Sequence, residues 1–227
     1  MKKVILLFIL MYSIISGSEH CHVKTNSLNY FINGSKQQPV LMIISGIHGD
    51  ERSGIETNFE LTKYIPPVGT LIIVPEANLP ASKNGNRTEY YMEDLNRVFF
   101  QSYTDFSSQI ATEITELIKL YKPHIILDFH ESYHNYDETK NPNFYIGNTI
   151  IFDKNTVEQV PELIMEFIEQ GFTPLNASIK GSLSKEIPHH LGIPVITVEV
   201  SRDESMQARK EKLKNLVQTT IKYLDME

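Results

Sequence analysis

The segment His48-Gly49-Asp50-Glu51 sets two metal-seeking side chains three positions apart, directly after the apolar run Val40–Ser45 (VLMIIS). Where a chain turns from strand to helix, a His and a Glu at this spacing can face one point, and imidazole with carboxylate suits Zn²⁺. Alone, an H-x-x-E pair is common by chance. His130 follows a second apolar run, residues 124–129 (HIILDF), and alone would be an ordinary polar residue on a sheet rim. Glu199 stands inside a third run, residues 194–200 (PVITVEV). A carboxylate in such a strand is costly to bury unless it is paired or has a task, and its plainer explanation is a structural partner for a nearby Arg. Together the placements say more. His48, Glu51 and His130 supply three protein ligands and leave a fourth position for water, as a catalytic zinc site requires. Glu199 could take that water's proton, with Glu131 the next candidate for the base. This set describes metal-assisted hydrolysis without fixing a substrate.

The elements that must position these residues follow from the same runs. Residues 40–45, 70–75, 124–129, 149–152 and 194–200 read as strands, nearly continuous in apolar character. Between them lie helical patterns at 53–64, 105–121, 183–191 and the C-terminal segment carrying Leu213, Leu216, Val217, Ile221 and Leu224. Val157, Val160, Leu163, Ile164, Phe167 and Ile168 read as one further helical face, closed by Gly171. Residues 18–38 are polar, and 76–104 form a long irregular stretch of the kind that usually serves function. Apolar strands alternating with amphipathic helices predict a single-domain α/β fold, a mostly parallel sheet covered on both faces. Ligands in such folds sit beyond the carboxyl ends of the strands, where the polar residues above fall.

With 227 residues, the chain suffices for one well-buried core and is short for two full domains. Its net charge of −7, without a cluster of Lys and Arg, argues against a nucleic-acid surface. Cys21 is the single cysteine, so no internal disulfide and no cysteine-based structural zinc site can form. Lys2 and Lys3, the apolar residues 4–15 and the small residues Ser16, Gly17 and Ser18 describe a secretory signal peptide. The run is shorter than the roughly 20 residues a membrane span needs. The expected organisation is a leader over 1–18, an exported catalytic domain over 19–227, and no stable membrane span after processing. A lipid anchor on Cys21 is the alternative, but Glu19 and His20 before it are poor lipobox residues.

The segments GIHGDE, NLPA…NR, DLNRVF, LDFHE and VITVEV, in this order over residues 40–203, resemble the M14 zinc carboxypeptidase superfamily. The nearest branches are the succinylglutamate desuccinylases and aspartoacylases, together with cell-wall carboxypeptidases that determine bacterial cell shape. The resemblance implies a zinc-carboxypeptidase-like fold, with a mostly parallel or mixed sheet, and one Zn²⁺ per chain on His48, Glu51 and His130. It implies Glu199 as general base and then acid, and Arg87 facing the oxyanion. Asn96 and Arg97 would grip the substrate's free carboxylate, and Asp94 would hold the His48 ring. These roles make physical sense, because Arg matches a carboxylate in two parallel hydrogen bonds.

Two features depart from the pattern. Larger members carry a Tyr shortly before the catalytic Glu, whereas none lies between Phe172 and Glu199 here, which leaves Tyr133, Tyr136 or Tyr145. The desuccinylase branch usually adds a β-rich C-terminal domain, so a chain ending on a helix soon after Glu199 should have a more open pocket. His189-His190 and His20-Cys21-His22 lack a strand-end context and read as surface or flexible residues. The expected reaction is hydrolysis of an amide bond beside a free carboxylate in a small peptide, with peptidoglycan stem peptides the leading substrate. The alternatives are a deacylase of N-acyl amino acids and a non-catalytic M14-like domain that binds carboxylates.

Overall fold

A computed structural model describes residues 19–102 and 104–227; the expected leader, residues 1–18, lies outside them. Strands β1 (Glu19–Lys24), β2 (Asn29–Gly34) and β3 (Val40–Ser45) lead into helix α1 (Arg52–Leu61), strand β4 (Thr70–Val74) and the short helix α2 (Leu79–Asn84). A 3-10 turn (Leu95–Arg97) precedes α3 (Phe106–Tyr121), β5 (Ile125–Ser132), β6 (Thr149–Ile151), α4 (Lys154–Gln159) and α5 (Pro161–Glu169). Then come β7 (Thr173–Leu175), α6 (Leu183–Leu191), β8 (Val195–Ser201) and α7 (Met206–Tyr223).

All eight strands form one sheet in the order β1-β2-β4-β3-β5-β8-β6-β7. The centre, β4-β3-β5-β8, is parallel; β1-β2, β2-β4 and β6-β8 are antiparallel, so the sheet is mixed. Its apolar residues alternate between two cores. Met42, Ile44, Ile72, Val74 and Ile126 pack with Ile110, Ile114 and Ile118 of α3 and Leu183 and Ile187 of α6. Leu41, Ile43, Leu71, Ile73, Leu127, Phe129, Ile196 and Val198 pack on the other face with Leu163 and Phe167 of α5 and Leu213, Leu216 and Val217 of α7. Each such side chain contributes about 1.5–3 kcal/mol by leaving water, which is why these strands tolerate almost no polar residue.

Several elements differ from the sequence expectation. Within the polar stretch, Glu19–Lys24 and Asn29–Gly34 form β1 and β2, an edge hairpin in which EHCHVK alternates half-buried and exposed positions. The irregular stretch 76–104 contains α2, which Asn78 caps through Ala81 N–H, Pro80 starts, and Gly85 ends in the left-handed conformation at φ 66°. The single helix expected over 157–168 is two helices. Pro161 has no N–H to continue α4, and its fixed φ suits the first position of α5 instead. Among the described residues no helix is long and apolar enough to cross a membrane.

Candidate metal centre

The loop after β3 is shaped by close approach. A Cβ on Gly49 would lie 2.1 Å from the backbone nitrogen of Ser82 in α2, so only glycine fits between the two chemistry-bearing residues of this turn. Gly49 N–H donates to the Arg87 carbonyl at 3.2 Å, which ties the loop to the segment carrying Arg87. Glu51 then stands at the N-cap of α1. His130 comes from β5, the parallel neighbour of β3.

His48, Glu51 and His130 are brought together, all buried, with one ligand atom of each within 4.8 Å of the others. His48 Nδ1 lies 2.7 Å from Glu51 Oε1, His130 Nδ1 lies 2.9 Å from Glu51 Oε2, and the two Nδ1 atoms are 3.1 Å apart. The other nitrogen of each ring meets a carboxylate. His48 Nε2 donates to Asp94 Oδ1 at 3.2 Å, and His130 Nε2 donates to Asp128 Oδ2 at 3.0 Å. Each carboxylate fixes its ring's proton on Nε2, so both Nδ1 lone pairs face the same point, an arrangement that needs a proton or a metal cation between them. Glu51 Oε2 is buried and makes no well-aligned hydrogen bond among the described residues. An orphaned carboxylate oxygen and two opposed imidazole lone pairs fit Zn²⁺, whose ligands here would be His48, Glu51 and His130.

The electrostatics agree with that arrangement. Burial opposes charging His130, yet the Asp128 and Glu51 carboxylates outweigh it and raise its pKa well above the usual histidine value. His48 is raised in the same way, against burial, by Glu51 and Asp94. Burial favours the neutral form of Glu51, but the two imidazoles hold its pKa well below the usual range. Asp94 is lowered too, because His48 and Arg87 overcome its burial.

Glu199 lies on β8 directly beside His130 in the sheet register, so both point to one face. Burial pushes its pKa up to about 7, with the Glu51 charge adding to the rise and His130, His48 and Arg87 opposing it. Arg87 is half exposed and donates to Glu51 Oε1 and Asp94 Oδ2, both at 3.3 Å. Asp94 caps the 3-10 turn by accepting from Asn96 N–H at 2.8 Å. Asn96 Oδ1 accepts from Leu183 N–H at 3.0 Å, which leaves its amide NH₂ for other partners. Arg87, Asn96, Arg97 and Glu199 all line one cavity of ≈ 530 Å³ together with His48 and Glu51. Of the three tyrosines considered, Tyr133 lines it and Tyr136 and Tyr145 do not.

Sequence reasoning took D-x-H only as part of the family pattern and gave Asp128 no role, although D-x-H on a strand puts both side chains on one face. Thr197 Oγ1 donates to the same Asp128 oxygen at 3.1 Å. Glu131 is not placed to be a base. It follows His130 by one residue, so it points to the opposite face, where Arg202 and Arg209 each reach it at 2.8 Å and Ser53 N–H donates to it at 2.6 Å. His190 stacks on Phe100, and His22 on Phe31, away from the cluster. His20, Cys21 and His22 belong to strand β1, where His20 and His22 are exposed, so the segment is a surface strand and not a flexible one.

The succinylglutamate desuccinylase/aspartoacylase catalytic-domain model matches residues 37–226. The chain belongs to this family. The family match spans the whole sheet from β3 onward, with every element described above as carrying the cluster. No curated protein sequence matches the chain. Among solved structures, the fold is similar to the apo cell shape determinant protein Csd4 from Helicobacter pylori, at TM-score 0.75 and 19% identity, covering 93% of this chain and 55% of Csd4. It is also similar to the ectoine utilization protein EutE (DoeB) from Ruegeria pomeroyi, at TM-score 0.72 and 19% identity, covering 95% of this chain and 70% of that one. A desuccinylase/aspartoacylase from Rhodobacter sphaeroides gives TM-score 0.67 at 17% identity, covering 92% and 65%. The chain thus spans about half the length of Csd4, with 55% of that chain covered.

Proposed function

We propose that this desuccinylase/aspartoacylase-family chain is a zinc-dependent hydrolase, cleaving an amide bond next to a free carboxylate. The observation that carries the reading is the pair of histidines whose outer nitrogens are held by Asp94 and Asp128 while their inner nitrogens and Glu51 converge beside Glu199. A bound zinc ion would supply Lewis acidity and lower the pKa of a water. Glu199 takes the proton of the attacking water and returns it to the departing amine nitrogen. Arg87 donates to the carbonyl oxygen as negative charge develops there. The Arg97 guanidinium and the free amide of Asn96 hold the substrate's carboxylate and so fix which bond is presented. One water is added across the C–N bond, giving an acid and an amine.

The substrate follows from two supports. The leader read in residues 1–18 directs the catalytic unit, 19–227, outside the cytoplasm, where peptidoglycan stem peptides are the proposed substrate. A solved structure of Csd4, described as a D,L-carboxypeptidase, is in its mDAP-bound form, and that protein shares this fold. The family's own description favours a second reading, a deacylase of N-acyl amino acids. Incubating the zinc-loaded protein with muropeptides and N-acyl amino acids side by side, with products identified by mass, separates the two. Release of a terminal amino acid from muropeptides alone supports the first reading, and release of free amino acid from the acyl series alone supports the second. Hydrolysis of neither leaves a carboxylate-binding domain and rejects the enzyme reading.

A further inference from the structure

The cavity continues past the metal centre, and its far end is built by residues with no part in the chemistry above. Antiparallel pairing sets Ile151 of β6 beside Thr197 of β8, and parallel pairing sets Leu175 of β7 beside Ile151. Directly paired residues share a face of the sheet, and Thr197 is two positions before Glu199. The row Thr197, Ile151, Leu175 therefore runs from the catalytic carboxylate toward the β7 edge on the same face. Ile151 and Leu175 are only half-buried, unlike Ile150, which is fully buried in the core behind them. Ile146, Ala177 and Ile179 complete this end of the cavity, and Ile179 is 56% exposed.

The charges are distributed unevenly. The His, Glu and Arg residues lining the cavity are His48, Glu51, Arg87, Arg97, Glu199 and Glu131, and no Asp or Lys is among them. The first five belong to the metal centre and the carboxylate grip, and Glu131 is held by Arg202 and Arg209. Lys180 follows Ile179 but is not part of the lining, and Lys185 pairs with Asp153 at 2.7 Å. Ser178, between Ala177 and Ile179, adds a hydroxyl to this end, but no opposite charge is there for a second carboxylate or an ammonium, and stripping such a charge of water without one is costly.

The same end is fastened to the carboxylate grip. Phe99 N–H donates to Gly181 O at 3.1 Å, Leu183 N–H to Asn96 Oδ1 at 3.0 Å, and a Cβ on Gly181 would lie 2.1 Å from the Arg97 carbonyl oxygen. The connection from β7 to α6 thus carries the apolar wall at Ala177 and Ile179 and, within a few residues, the seat of Arg97. A residue whose carboxylate sits on Arg97 has its own side chain next to that wall.

We propose that Ile151, Leu175, Ala177 and Ile179 form the side-chain subsite for the carboxylate-bearing residue, and that this residue is a branched or aromatic apolar amino acid rather than an acidic or basic one. The inference rests on the hydrolase reading above and, within it, favours N-acyl amino acids over stem peptides that end in a charged residue. The test is kcat/KM for the zinc-loaded full chain on matched N-acetyl amino acids and alanyl dipeptides, in both configurations of the terminal residue, ending in Leu, Val, Phe, Glu, Asp or Lys. The expected result is at least a tenfold preference for the apolar terminal residues. Ile179→Arg, at an exposed position that folding does not need, should lower cleavage of the Leu substrates and raise that of the Glu substrates. Glu, Asp or Lys substrates cleaved as well as Leu by the wild-type protein overturn the inference and leave the hydrolase reading standing. Cleavage of no substrate in the panel overturns both.

Discussion

At the scale of single residues, the proposed metal ligands and the proposed proton-transfer and substrate-binding groups should respond differently to substitution. Glu199→Gln keeps the shape of the side chain and removes the proposed base, so zinc content should stay while kcat falls by about 10²–10⁴-fold. Retained turnover in this variant would move the base elsewhere. Asp128→Asn acts through the His130 ring that Asp128 orients, and should weaken zinc affinity about 10–100-fold in a chelator competition. Unchanged affinity would make Asp128 a strut only. Arg97→Lys should lower kcat/KM at least about tenfold, nearly as much as Arg97→Ala, because an ammonium cannot copy the paired hydrogen bonds. Amidating the substrate's carboxylate should cost the wild-type enzyme as much, and equal cleavage of free and blocked substrates would show an endo-acting hydrolase. His48, Glu51, His130 and Glu199 were legible in the sequence because each interrupts or directly follows an apolar run. Asp128 was equally visible in D-x-H, but its role depends on a ring nitrogen that only coordinates locate. The apolar row of Ile151 and Leu175 was not legible, since it requires the register of two short strands.

At the scale of elements, helix α1 carries Glu51 at its start and is fastened at both ends. Near its N-terminus, Arg202 donates to the Asp50 carboxylate at 2.9 Å and to Glu131 at 2.8 Å, and Glu131 accepts from Ser53 N–H. At its far end, Glu60 pairs with Lys210 at 2.6 Å and with Lys214 of α7. These hydrogen bonds, Lys210 first and then Lys214, lower the Glu60 pKa from 4.5 to about 2. A depressed carboxylate stabilises the fold above its unfolded value near 4.5, and that contribution fades as pH falls through about 2. The pair is solvent-exposed, so it contributes no more than about 1 kcal/mol, and less in salt. Glu60→Gln should therefore lower Tm by about 2–4 °C at most near pH 7, and the gap should close as pH approaches 2. A gap that stays constant down to that pH would trace the loss to packing instead. The long helices were readable from their 3.6-residue apolar spacing. The edge strands were not, because EHCHVK and TPL carry too little apolar pattern to stand out before their partners are known.

At the scale of the whole molecule, the centre exists because β3, β5 and β8 lie side by side in parallel, although their sequences are separated by up to 150 positions. Their carboxyl ends then deliver His48 and Glu51, His130, and Glu199 to one rim. The apolar runs announced the strands and the α/β class, and the motif order announced the family. A mixed sheet was within the expectation, but the strand order and which flanks run antiparallel were not announced, because pairing is decided by tertiary contacts that no local pattern records. The measurement that bears most directly on this account is the zinc content of the purified chain after zinc loading and removal of weakly held ion. Three converging protein ligands with an open fourth position predict about one Zn²⁺ per chain, lost in His48→Ala and His130→Ala. A wild-type chain that retains no zinc under those conditions would contradict it.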